Sequence, residues 1–143
     1  MRMNSIAAGL VALAIMAPSA QAAETVRRDN PLRKVLLDAV RPAVEDDVGV
    51  PVQFVVDVLQ VEGRWAYLSG TAQQKDGSPI DFGGTQFAEA IDEGMFDGPT
   101  VKALLQKSGK SWRVAAYNIG ATDVVEAGWP DEFGVPCSVV DFC

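Results

Sequence analysis

The sequence predicts an α+β fold in which one N-terminal amphipathic helix packs on a curved four-stranded antiparallel sheet. Three observations carry that expectation. A helical apolar period runs from Leu32 to Val44, period-two alternation follows in two pairs of segments, and each pair is joined by a turn short enough to force antiparallel pairing.

The helix starts at Asp29-Asn30-Pro31, a capping side chain followed by a Pro whose missing N–H costs nothing there. Leu32, Val35, Leu36, Ala39, Val40, Ala43 and Val44 form its apolar face. Arg33, Lys34, Asp38, Arg41 and Glu45 fall opposite. Pro42 should kink the helix or end its regular part near Val40, and Gly49 and Pro51 close the segment. From Val52 to Val61 the period becomes two, with Val52, Phe54, Val56 and Val58 facing the helix and Gln53, Val55, Asp57, Leu59 and Val61 facing away. Glu62-Gly63 turns the chain into a second strand, Arg64 to Gln73, with Trp65 and Tyr67 on one face and Ala66 and Leu68 on the other.

Residues 74–99 read as an irregular insert. It holds a turn at Lys75 to Pro79 and a short helix, Gln86 to Glu93, capped by Thr85 and ended by Gly94. Two more strands follow, Thr100 to Lys107 and Ser111 to Ile119, joined by Ser108-Gly109-Lys110. In the last strand Trp112, Val114 and Ala116 share one face. A single helical turn at Val125 to Ala127 precedes a loop tail. The order helix, hairpin, insert, hairpin matches a cystatin-like or reduced NTF2-like layer pair. The segments LLDAVRPAVE (Leu36–Glu45), PVQFVVDVLQVEGRWAYLSG (Pro51–Gly70) and VKALLQKSGKSWRVAAYNIGATDV (Val101–Val124), with Gly128-Trp129, resemble a group of small secreted bacterial α+β proteins of unassigned function. That resemblance implies a common domain and an envelope location, and it carries no activity.

Residues 1–22 read as a secretory signal peptide. Arg2 gives a basic start, Ile6 to Ala17 is apolar, Pro18-Ser19 breaks the run, and Ala20-Gln21-Ala22 places cleavage before Ala23. A helix of about a dozen apolar residues is roughly 18 Å long, short of the ~30 Å hydrocarbon core. No Cys follows the cleavage site, so neither a lipid nor a membrane anchor is expected. Of the 143 residues, 23–143 remain as a single domain. With Arg2 removed, 11 basic side chains face 19 acidic ones, a charge of −8 against −7 for the full chain. Such a surface repels phosphate backbones, so nucleic acid is not an expected partner. Cys137 and Cys143, an even pair in an exported chain, read as a disulfide that pins the tail. A periplasmic or secreted location follows from leader and cysteines together.

The chain contains no His, which excludes Ser-His-Asp and Cys-His units, His-ligated zinc and His-held haem. No catalytic residue, metal or cofactor is therefore expected. Asp76, Asp81, Asp92, Glu93 and Asp97 cluster in the insert, but Asp92 to Gly98 lacks the alternate-position ligands of a calcium loop. Nothing fixes a carboxylate pair at glycosidase spacing either, so turn and cap chemistry is the preferred reading. The candidate binding residues are Trp129, Arg64, Arg113, Asp81 and Asp57. Trp129, in a Gly-Trp-Pro loop, is either a lid on the sheet or an exposed aromatic anchor. Arg64 and Arg113 stand beside strand tryptophans, and Asp57 is a potential cross-sheet partner for either.

The expected function is a non-catalytic envelope domain that binds an unidentified protein or ligand through the concave sheet face and the loops at 74–99 and 120–136. Two alternatives stand beside it. One is a small-ligand pocket or carboxylate-dependent hydrolase of NTF2-like type, with Asp57 as its buried acid. The other is a structural accessory subunit.

Overall fold

A computed structural model describes residues 12–15 and 22–143. Most of the leader expected at 1–22 therefore lies outside the described residues. Of the part that is described, Leu13 and Ile15 are 84% and 88% exposed and join neither core.

The chain is α+β, with a five-stranded antiparallel sheet in the order β1-β2-β3-β4-β5. The elements are β1 (Glu24–Thr25), α1 (Pro31–Val48), β2 (Val52–Glu62), β3 (Trp65–Gln74), α2 (Ala88–Asp92), β4 (Thr100–Ser108), β5 (Ser111–Ile119) and α3 (Trp129–Phe133). Short 3-10 turns stand at Phe82–Gly84, Val125–Gly128 and Cys137–Val139. The sheet has one strand more than the four expected. The extra one, β1, is two residues long, too short to show a period. It is held by pairing with Gln60 and Val61 and by Val26 N–H donating to the Leu59 carbonyl (2.8 Å).

Asn30 caps α1, its side chain accepting from Leu32 N–H, with Pro31 in the first turn. The helix does not stop near Val40. It runs through Pro42 to Val48 and ends at Gly49 in the left-handed region (φ 76°). An interior Pro breaks one backbone bond, at a cost of about 3 kcal/mol. Burial of Val44 and Val48 beyond it, each worth about 1.5–3 kcal/mol, offsets that loss. The buried stripe is Leu36, Val40, Val44 and Val48, while Val35, expected on the apolar face, is exposed. Two contacts then fix where β2 begins. Arg41 Nε donates to the Val52 carbonyl (3.1 Å), and Val52 N–H donates to Glu45 Oε1 (3.0 Å).

Two bulges redirect the expected faces. In β2, Val56 pairs with Gly70 and Val58 with Ser69, so Asp57 has no partner of its own. Past that point the alternation inverts: Leu59 and Val61 face α1, and Val58 faces away. Gly70 is required there, because a Cβ on it would lie 2.4 Å from the Val55 carbonyl oxygen. In β5, Leu104 pairs with Ala116 and Leu105 with Val114, leaving Ala115 as the extra residue. Trp112 and Val114 keep to the helix side, whereas Ala116 joins the opposite face. Trp65 and Tyr67 on one face of β3, with Ala66 and Leu68 on the other, follow the expected alternation.

Both sheet faces are covered. On one side α1 packs over Leu59, Ala66, Leu68, Val101, Ala103 and Leu105. On the other, residues 125–140 lay Trp129, Val135, Val139 and Val140 onto Trp65, Tyr67 and Leu104. Cys137 and Cys143 are joined by a disulfide, and no described helix is long and apolar enough to cross a membrane.

Candidate functional site

The fold gathers cationic side chains along one side of α1, from Arg28 just before it to Arg41. Arg33, Leu37 and Arg41 recur at intervals of four, as do Lys34 and Asp38, so all rise along one side of the helix. Arg28 and Asp29 precede the helix, Val52 and Gln53 of β2 form the facing wall, and Lys75 extends from the end of β3. Together they line a groove of about 710 Å³. Five of the chain's 12 Lys and Arg are here, against two carboxylates, so the groove is locally positive on a protein of net charge −7.

Its cations differ in freedom. Arg33 Nη1 donates to the Val26 carbonyl (3.3 Å). Arg41, besides its bond to Val52, lies 5.9 Å over the Phe54 ring. Asp38 accepts from both Lys34 and Arg41, and those hydrogen bonds, that from Lys34 first, hold its carboxyl below the usual carboxylate range. Arg28 and Lys75 enter no salt bridge among the described residues. The helix end is closed by its own cap, Leu32 N–H donating to Asn30 Oδ1 (2.9 Å) and Arg33 N–H to the Asn30 carbonyl (3.0 Å). The positive field thus comes from side chains rather than free amides. No hydroxyl or thiol lines the groove. Chemically it can hold carboxylate, sulfate or phosphate oxygens.

A second polar group is buried under residues 125–140. Glu126, 1% exposed, accepts from Lys102 Nζ and, at 3.4 Å, from the Tyr67 hydroxyl. Its Oε2 and the Asn118 Oδ1 are buried without a hydrogen-bond partner. Burial, then the Glu126 charge, pushes the Tyr67 phenol above its ordinary range. This cluster joins β3, β4 and the C-terminal cover at one point.

The residues expected from sequence lie elsewhere. Trp129 is 5% exposed and meets Tyr67 edge-on at 6.2 Å, so it is the lid and not an exposed anchor. Arg64 and Arg113 are exposed near the two hairpin turns, and neither pairs with Asp57 among the described residues. Asp57, read on the strand face turned from the helix and a buried acid only in the alternative pocket reading, is exposed at its bulge, where it has no partner in the ladder. Asp81 is exposed and caps the turn at Phe82, accepting from Gly83 N–H (3.0 Å). Asp76 accepts from the Ser78 hydroxyl and N–H, which lower its pKa. α1 packs on one face of the sheet, and residues 125–140 cover the other.

The groove was missed because its cations were assigned to a solvated helix face. A usable signal was present: Arg27, Arg28, Arg33, Lys34 and Arg41 fall within fifteen residues of an acidic chain. No family model, characterised protein or solved structure matches the chain.

Proposed function

We propose that this chain is an exported, non-catalytic binding domain whose groove between α1 and the start of β2 takes an anionic ligand. The concentration of cations in that groove, on a protein of opposite net charge, carries the reading. Electrostatic focusing of this kind favours one sign of ligand at one place while the remaining surface repels it. The disulfide fits an oxidising compartment. Export also agrees with β1 beginning at Glu24, one residue past the expected new N-terminus at Ala23. A cystatin-like reading is supported by α1 approaching β2 and β5, the strands on either side of β3 and β4, as a helix does when a sheet curves around it.

The test is binding of fluorescein-labelled polyglutamate at low salt. Arg28→Glu with Lys75→Glu should weaken binding about tenfold or more, and added salt should weaken wild-type binding. Arg64→Glu with Arg113→Glu changes net charge equally and should leave affinity near wild type. Equal losses in the two double variants, or no loss in the first, would defeat the reading.

A further inference from the structure

A small apolar pocket adjoins the basic groove. Thr71, Pro79, Ile80, Phe82 and Pro99 line most of it, with a volume of about 240 Å³, room for one leucine-sized side chain. Its walls are set by hydrogen bonds: Gln74 Nε2 donates to the Pro79 carbonyl (2.9 Å), and Ala72 N–H donates to the Pro99 carbonyl (2.9 Å). Preorganised walls avoid an ordering cost when a ligand enters.

The two depressions are separated by one cross-strand pair. Gln53 lines the groove, Gln73 lines the pocket, and these residues are direct partners in the β2–β3 register. Such partners stand about 5 Å apart. Neither glutamine amide makes a side-chain hydrogen bond among the described residues. A cationic groove, two amides and an apolar recess thus adjoin one another in that order. Carboxylates, a peptide backbone and an apolar side chain are the groups that match them in that order. Extended peptide rises about 3.3 Å per residue, so two to four residues cover the step.

Resting on the reading of the groove as an anion site, we infer that its ligand is an extended acidic peptide segment with an apolar side chain about three residues from its carboxylates. The carboxylates meet Arg28, Lys34 and Lys75, the peptide amides meet Gln53 and Gln73, and the apolar side chain enters the Pro79–Pro99 pocket.

The test uses two labelled octapeptides with a Glu-Asp-Glu head, one carrying Leu and the other Ser three residues after it, measured by fluorescence anisotropy. The Leu peptide should bind wild type about tenfold tighter than the Ser peptide, as expected for burying one such side chain. Thr71→Tyr, which fills the pocket from a strand position, should bring the two peptides to parity. Arg28→Glu with Lys75→Glu should weaken both by a similar factor. Equal binding of the Leu and Ser peptides to wild type overturns this inference, whatever the folding of the Thr71→Tyr chain. If polyglutamate still binds through Arg28 and Lys75, the anion groove survives that result. A polyphosphate of equal charge that binds more tightly than the Leu peptide also overturns the peptide assignment. Failure of polyglutamate and both peptides together overturns the groove itself.

Discussion

Replacing Lys102 by Met tests whether the cover over the second sheet face depends on a compensated buried charge. The Glu126 carboxylate is 1% exposed, and Lys102 is its cationic partner. Methionine keeps most of the aliphatic stem and deletes the ammonium. Breaking a buried pair from one side costs about 3–5 kcal/mol, because the other charge stays behind uncompensated. The Tyr67 hydroxyl still reaches Glu126 at 3.4 Å, which places the expected loss near the low end, about 3 kcal/mol. Glu126→Gln should cost less, about 1–2 kcal/mol, since the Lys102 side chain is 27% exposed and can turn to water. Lys102→Met with Glu126→Leu should return to within about 1 kcal/mol of wild type, as apolar replacement of a whole buried pair often does. Urea unfolding followed by tryptophan fluorescence measures all four chains. With a slope of about 1.5 kcal/mol per molar, the Lys102→Met midpoint should fall by about 2 M. A loss below about 1 kcal/mol would refute the reasoning.

Gly70→Ala should destabilise by about 2–3 kcal/mol in the same assay, because its Cβ meets a backbone oxygen at 2.4 Å that no rotamer can move; a neutral result would mean the β2 bulge relaxes freely. Both tyrosines of the chain should resist ionisation. The hydrogen bond that Tyr117 donates to Asp47 (2.7 Å) pushes its pKa up to about 12, and Tyr67 is raised further. A raised folded value means the native state holds its proton where the unfolded chain has lost it. The stability from Tyr117 is therefore present below about pH 10 and disappears between about 10 and 12. Absorbance at 295 nm should show no phenolate in native protein at pH 10.5, and a normal titration there would remove the claim. Cys137→Ser with Cys143→Ser should cost about 2 kcal/mol at most and speed amide exchange only in the tail. Global unfolding would show that the link does more than pin residues 137–143.

Legibility followed how locally each feature is encoded. The α1 start is written in three adjacent residues, Asp29-Asn30-Pro31, and the two hairpins in apolar, β-prone segments joined by short turns. The path of α1 past Pro42 was not legible, since the valines that hold it, Val44 and Val48, act through the sheet. Nor were the bulges at Asp57 and Ala115, which belong to the pairing of two strands and leave no mark on either alone. Asp57 shows the consequence for site reading. Alternation placed it on the face turned from the helix, the alternative reading made it a pocket acid, and the bulge leaves it unpaired and exposed. Trp129 could be read either as lid or as anchor until residues 125–140 were seen to lie across Trp65 and Tyr67.

The distribution of apolar and charged residues decides where binding can occur. Large apolar side chains are used on both faces of the sheet, with α1 taking one and the disulfide-ended tail the other. What remains for a ligand is the rim, and the rim is not uniform. An acidic chain gains solubility from dispersed carboxylates. Gathering five cations along one side of α1 serves no such purpose, and it places like charges near one another at some expense in stability. Asp38 relieves part of that repulsion by accepting from Lys34 and Arg41, yet Arg28 and Lys75 are left without an ion-pair partner among the described residues. A structural account covers Arg33 and Arg41, which hold backbone carbonyls, and Lys34, which holds Asp38. It does not cover Arg28 and Lys75, which is why those two residues, rather than the helix arginines, are the ones whose reversal separates a binding groove from a stabilising charge cluster.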